Sequence, residues 1–533
     1  MLMTKIVVIG LDGADWETIR SWAEEGWLPN MKKLMEGSSH GPLESTIPAV
    51  TSTAWTSMLS GKRPEKHGIL GFTKVERTDS GWNLSVYTSK DKRSPELWDY
   101  VDGVIAVNVP FSYPTREVNG ILVSGMGTPS IHSQFTYPPE FRDELLRVVP
   151  NYELDIDLAD YRGKGRLLID KIYELTEKRI KLLRYLLDKE DWRLLFYIFT
   201  ETDRIQHAFW GRNEVKLYWK YLDDFMGELV EIISTKAEKN GEDIYLILVS
   251  DHGFSKLRGK IDVNCLFRKM RILKEIRGVM GDSLKSFLKG IFHNLLILIA
   301  FIYLKLPEKL KDLLSPLAFR VMRSKHGGAI ILKHYDYTNS PAFCVNESSC
   351  GYVFLNPSLT SDERNSLLSR IRAELEKAFR GKGGEGPLIR ILDGRDVYED
   401  PSPGVMLPDL ILVPREGYVI ASTTTPSCLI EIESDAMTRG VHRLQGMFLI
   451  HGPEIRSNHI IEGAKIYDVL PTILHILGIP VPRDVDGRVL KEVFKSNSTL
   501  SRREIVYGDS PTRMREEVTI REIVRRLRET GRI

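Results

Sequence analysis

The sequence predicts an α/β protein with a mostly parallel sheet and a separate inserted region. Short β-branched and aromatic runs alternate with longer helical patterns, as parallel strands do when helices carry the crossovers. Several of these runs end on Asp, Glu or an Asp-His pair, at the strand end where open α/β sheets gather ligands. From residue 262 to about 400 the alternation stops.

In chain order, residues 6–11 (Ile-Val-Val-Ile-Gly-Leu) read as a buried strand ending at Asp12-Gly13. A helix is expected over 15–25, a Gly-Trp-Leu-Pro-Asn turn at 26–30 and a helical piece over 31–36. After Pro48 the hydroxyl-rich Thr51-Ser52-Thr53 leads into a short helix at 54–59, closed by Gly61 and Pro64. Further strands are expected at 104–109, 194–199, 245–250, 410–414 and 447–451, and helices at 164–188, 218–240 and 467–477. The region between carries an apolar, basic helical piece at 284–319 and strand-like pieces at 329–332 and 352–355. A charged helix at 361–379 and a glycine-rich linker at 381–386 follow. This divides the chain into a core part at 1–261, an inserted cap at 262–400, a second core part at 401–495 and a charged tail at 496–533. The tail holds an Arg-rich surface helix at 519–528.

Totals narrow the function. With 42% apolar and 27% charged residues the chain has an ordinary globular composition, and a net charge of +2 gives no bulk attraction for nucleic acid. Cys265, Cys344, Cys350 and Cys428 lie far apart without a C-x-x-C, which argues against a disulfide framework or thiolate zinc and for a reducing, cytoplasmic setting. The N-terminus enters a strand directly, without the basic start or cleavage pattern of a secretory signal. The apolar run at 295–304 is shorter than the ~18–20 residues a membrane span needs. Lys285, Lys289, Lys305, Lys309 and Lys311 flank it, so segment 284–318 reads as a buried cap helix or as a peripheral membrane or lipid contact.

Residues that could carry chemistry cluster at strand ends. Asp12 follows the first strand, Asp203 and His207 are four apart on one helical face, Asp251-His252 follows another strand, and His442 precedes the last. Three Asp and three His without thiolate suit two divalent ions, zinc foremost, with manganese or iron as alternatives. Near such ions Thr51 changes from a helix-start residue into a candidate nucleophile.

As a set, these residues carry a resemblance. Asp12-Gly13, Thr51 with Ser60-Gly61-x-x-Pro64-x-x-His67-Gly68-Ile69, Asp203-x-x-x-His207, Ser250-Asp251-His252-Gly253 and Gly440-x-His442 stand in the order of one family. They resemble the type I phosphodiesterase/nucleotide pyrophosphatase family of the alkaline phosphatase superfamily. The similarity runs from residue 5 to about 265 and from about 405 to 490, with further similar phrases at 107–114 and 468–474. It implies a three-layer α/β/α core and a small-molecule phosphoester substrate. It also implies two zinc ions, one on Asp203, His207 and His442, the other on Asp12, Asp251, His252 and the Thr51 oxygen. Thr51 would be the nucleophile, forming a phospho-threonine that water hydrolyses, and His67 would be structural.

One departure stands beside the nucleophile. The family continues with Phe-Pro-Asn, where this chain has Ser52-Thr53-Ala54 and so lacks the amide. Ser52, Thr53 and Asn108 are then the candidate donors to substrate. The departure leaves room for a phosphomonoesterase or phosphotransferase of the same superfamily, acting on a lipid- or sugar-linked phosphate.

Overall fold

A computed structural model describes residues 4–78, 81–274, 335–380, 386–421, 427–432 and 440–511. The expectations for 284–318, 329–332, the linker at 381–385 and the helix at 519–528 lie outside these residues.

Among the described residues the central sheet has ten strands. Across it the order is His459–Ile460, Ser39–Glu44, Gln445–His451, Asp243–Val249, Thr4–Leu11, Leu194–Phe199, Val104–Val109, Gly120–Ser124 and Thr136–Tyr137; Ala464–Lys465 also pairs with Ser39–Glu44. The five strands from Asp243–Val249 to Gly120–Ser124 run parallel. Gln445–His451 is antiparallel to both its neighbours.

Thr4–Leu11 lies mid-sheet and is apolar on both faces because both faces are covered. Ile6 and Val8 pack with Trp55, Leu470 and Leu474, while Val7, Ile9 and Leu11 pack with the helices Gly165–Leu187 and Asn213–Asn240. That alternation is the three-layer α/β/α arrangement.

Five strands of this sheet were not expected from the sequence, and two of them show the reason. Ser39–Glu44 contains Gly41 and Pro42, residues with poor strand propensity, and only its pairing with Gln445–His451 makes it a strand. Gly120–Ser124 is short and gains its place from Val104–Val109. The predicted run at 410–414 does form a strand, Leu410–Pro414, but in a different sheet. That antiparallel sheet orders Ala342–Asn346, Gly351–Leu355, Leu410–Pro414 and Leu388–Asp393. The helix Ser361–Leu375 accompanies it, started by a capping box between Thr360 and Glu363.

This smaller sheet docks on the core near the helix Thr51–Ser60. Buried Glu347 accepts from Phe72 N at 2.7 Å and Thr73 N at 3.0 Å. Tyr352 donates to Leu70 O at 2.8 Å, and Tyr398 donates to Ile47 O at 2.6 Å.

The cysteine expectation is corrected. Cys265 and Cys428 form a disulfide across 163 residues of sequence. Gly259–Ile261 pairs antiparallel with Leu429–Glu431, and Asp262 N donates to Cys428 O at 2.8 Å, so sheet pairing brings the thiols together. Spacing along the chain carries no trace of that contact. Cys344 and Cys350 are free and buried. Among the described residues no helix is long and apolar enough to cross a membrane.

Gly10 shows how tightly the site is supported. A Cβ there would lie 2.5 Å from the Trp55 ring and 2.9 Å from Ile198. Overpacking of this kind costs roughly 1–3 kcal/mol. Gly10→Ala is therefore expected to lower the unfolding free energy by that amount, read as a lower urea midpoint at an unchanged m-value, and a midpoint equal to wild type would show that the ring moves aside freely.

Candidate metal centre

The centre forms where parallel strands end. Asp12 follows Thr4–Leu11, and Asp251-His252 follows Asp243–Val249 in the neighbouring strand. Asp203 and His207 stand one turn apart on Glu201–Phe209, the helix after Leu194–Phe199. His442 comes from Gly440–Arg443, which pairs antiparallel with Gly253–Lys256 and sets Phe254 opposite His442. Gly253 is required there because a Cβ would lie 2.1 Å from Gln445 O.

Six predicted residues thus meet. His207 Nε2 and His442 Nε2 are 3.0 Å apart, and Asp203 Oδ1 lies 3.3 Å from the first and 3.2 Å from the second. His252 Nε2 lies 3.2 Å from Asp251 Oδ2 and 3.6 Å from Asp12 Oδ1. The His252 and His442 rings stack with centroids 3.6 Å apart, joining the two halves. Two groups of three have donor atoms close enough to share an ion: Asp203, His207 and His442, and Asp12, Asp203 and His252. Asp203 belongs to both. Asp251 is not in the second triple; its Oδ1 accepts from Gly13 N at 3.1 Å, which holds the Asp12 loop.

Tautomers can be read from the second contacts. Nδ1 of His207 faces Gly440 O, Nδ1 of His442 faces Ala49 O, and Nδ1 of His252 faces Gly253 O. A carbonyl only accepts, so each Nδ1 carries the proton and each Nε2 presents a lone pair. Three lone pairs therefore point at one another and at carboxylates. Asp12 Oδ1, Asp251 Oδ2 and His252 Nε2 are buried without a hydrogen-bond partner. Such a donor set fits divalent cations.

Ionisation follows the same crowding. Burial, then the charges of Asp251 and Asp203, push the Asp12 carboxyl well up. Burial likewise raises Asp251 to about 8. For Asp203 burial also opposes charge, but His207 in its protonated, metal-free form and Arg204 overcome it and hold the carboxyl well below the usual range. Burial, with His442 adding to it, keeps the His252 imidazole neutral.

Thr51 is the first residue of the helix Thr51–Ser60 and is 2% exposed. Two contacts tie that helix to the cluster. Trp55, one turn on from Thr51, donates from Nε1 to Asp12 Oδ2 at 3.1 Å, and Ala49 O accepts from His442. Ser52 Oγ and Thr53 Oγ1 are buried beside it without a partner. Asn108 sits at a positive φ of 59° and spends its amide on Ile198 O and Thr200 Oγ1, at 2.9 and 3.3 Å. His67 is wholly buried and lies apart from the metal donors. It accepts from Ile69 N at Nδ1 and so donates from Nε2 to Ser57 Oγ at 2.8 Å, a structural bond between two turns.

Sequence reading passed over the supports of this cluster. Gln206 donates to Gly13 O and Thr202 O, and Thr202 Oγ1 donates to Asp12 O, so the Asp203 helix grips the Asp12 loop. Arg204 donates to Asp203 Oδ2. Their only sequence signal is position: Arg204 and Gln206 lie inside the one turn between Asp203 and His207, and Thr202 stands just before it.

Comparisons with known proteins agree with this fold. Human ectonucleotide pyrophosphatase/phosphodiesterase 5 shares the fold at TM-score 0.53 and 14% identity, over 93% of this chain and 100% of that one. The murine protein does so at 0.51 and 13%, over 92% and 100%. Phosphonoacetate hydrolase from Sinorhizobium meliloti 1021, solved with phosphonoformate, matches at 0.53 and 14%, over 90% and 96%. No curated protein sequence matches the chain. The family model for type I phosphodiesterase/nucleotide pyrophosphatase, however, matches residues 6–444, from the first strand through His442. The chain therefore belongs to the type I phosphodiesterase/nucleotide pyrophosphatase family, hydrolases of the alkaline phosphatase superfamily.

Proposed function

We propose that this hydrolase cleaves phosphodiesters with Thr51 as nucleophile, at a centre that holds two divalent ions, zinc foremost. The observation that carries the reading is the convergence of three Nε2 lone pairs and three carboxylates next to the first turn of the Thr51 helix. Asp203, His207 and His442 would hold one ion. Asp12, Asp251, His252 and the Thr51 oxygen would hold the other, with Asp203 also within reach of it. Bound there, the ions supply positive charge that lowers the hydroxyl pKa and neutralises phosphoryl oxygens.

The chain's own groups do the rest. Thr51 Oγ1 gives up its proton to solvent and bonds to phosphorus as the P–O bond to the ester oxygen breaks; water then adds to phosphorus, breaks the Oγ1–P bond and supplies the proton that restores the hydroxyl. Thr51 and Ser52 open the helix, whose N-terminus favours an anion, while Thr53 N and Ala54 N already donate to Val50 O. Murine ectonucleotide pyrophosphatase/phosphodiesterase 5 made inactive by one Thr-to-Ala change has been solved with AMP, which supports a threonine nucleophile and a nucleotide-type substrate. Substrate choice is assigned to the inserted region, 262–400.

A second reading has its own observation. Ser52 and Thr53 offer two buried, unpartnered hydroxyls where the family places Phe-Pro, and Ala54 removes the amide. That pattern favours a monoester, or a lipid- or sugar-linked phosphate. A nitrophenyl nucleoside monophosphate diester and nitrophenyl phosphate, each assayed with and without zinc, separate the two. The diester is expected to win in kcat/KM by at least about tenfold, or ~1.4 kcal/mol of barrier. Preference for the monoester would sink the diesterase reading.

A further inference from the structure

We propose that Arg204 is a positioning residue of the metal centre, clamping one oxygen of Asp203 so that the other is presented to the imidazoles. The inference rests on the two-ion reading above.

Arg204 is 8% exposed and follows Asp203 directly on the helix Glu201–Phe209. Its Nη1 donates to Asp203 Oδ2. Its Nε and Nη2 donate to Asp155 Oδ1 and Oδ2 at 3.0 and 2.6 Å, a two-pronged pair. Asp155 belongs to the segment just before Leu158–Tyr161 and is not among the metal donors. The guanidinium is therefore fixed at one end by Asp155 and fixes Asp203 at the other.

The consequence falls on the opposite oxygen. A free carboxylate rotates about Cβ–Cγ and offers either oxygen, or both, to a cation. With Oδ2 tied to Arg204, the plane of Asp203 is set and Oδ1 faces His207 Nε2 and His442 Nε2. Asp203 is the one carboxylate common to both donor groups, so its orientation bears on both ions. Arg204 also offsets one negative charge where Asp12 and Asp203 crowd together. A lysine could supply that charge but not the planar fork that bridges two carboxylates. Outer partners that orient metal ligands change affinity by ~10–100-fold when removed.

The test uses the full chain and the variants Arg204→Gln, Arg204→Lys and Asp155→Asn. Asp223→Asn serves as a stability control, because buried Asp223 accepts from Asn30 N and Met31 N in another helix pair. Zinc affinity is measured by chelator competition, coordination by the visible spectrum of the cobalt(II)-loaded protein, and folding by thermal melting. Arg204→Gln is expected to weaken zinc by about 10–100-fold and to alter the cobalt spectrum. Arg204→Lys and Asp155→Asn should change both to a lesser degree, and Asp223→Asn should lower Tm alone. A folded Arg204→Gln with wild-type zinc affinity and cobalt spectrum would overturn the proposal. Should that variant not fold, wild-type values in both Arg204→Lys and Asp155→Asn would overturn it equally. A wild-type protein that takes up neither metal would instead remove the two-ion reading itself.

Discussion

Thr51→Ala is expected to remove turnover while leaving metal in place. Thr51 is buried at the start of its helix, and that helix is fastened to Asp12 through Trp55 and to His442 through Ala49 O. Removing one hydroxyl alters none of these ties, so the cluster should keep its shape. What is lost is the atom proposed to bond to phosphorus. Loss of a nucleophile costs at least about 10³-fold in kcat, and up to ~10⁶-fold where the group acts within a unit. The measurement is single-turnover kinetics on the nitrophenyl diester, with metal counted per chain in the same preparation. Denatured wild-type protein trapped early in turnover should carry phosphate on Thr51, and the variant should carry none. Full activity in Thr51→Ala would reject the nucleophile.

Asp203→Asn should have the larger effect on metal. Asp203 alone stands in both groups of converging donors, whereas His207 belongs to one. The substitution keeps shape but removes a buried charge that faces two imidazoles and Arg204. Both ions are expected to be lost from Asp203→Asn, and one from His207→Ala. Stability provides a second readout. A ligand that binds only the folded state at 100 times its Kd adds about 2.7 kcal/mol. Zinc should therefore raise the Tm of wild type and leave that of Asp203→Asn nearly unmoved. Two ions retained by Asp203→Asn, with an unchanged zinc-dependent Tm, would contradict a shared ligand.

Much of this was legible in the sequence, for physical reasons tied to particular residues. The strands at 6–11 and 194–199 are buried on both faces, so an unbroken apolar run gives them away. Asp203 and His207 keep helical spacing because one turn must carry both. Ser39–Glu44 was illegible because Gly41 and Pro42 hide a strand that only cross-sheet pairing creates. Leu410–Pro414 was legible as a strand, but not its sheet, since the signal of burial does not name the neighbour. The Cys265–Cys428 bond depends on a pairing between segments 163 residues apart, which no local pattern records.

By itself the sequence determined the residue types, their order and the local periods. Those suffice for an α/β core, a family and six candidate donors, because strand burial, helix spacing and donor chemistry are local properties. Tertiary structure alone decided the rest. It turned each Nδ1 to a backbone carbonyl and so each Nε2 to the centre. It placed Asp203 in both groups of converging donors, bonded Asp251 to Gly13 N and set Arg204 between Asp203 and Asp155. The physical reason is that hydrogen-bond direction and charge proximity depend on distances between segments remote in sequence, and those exist only once the chain has folded.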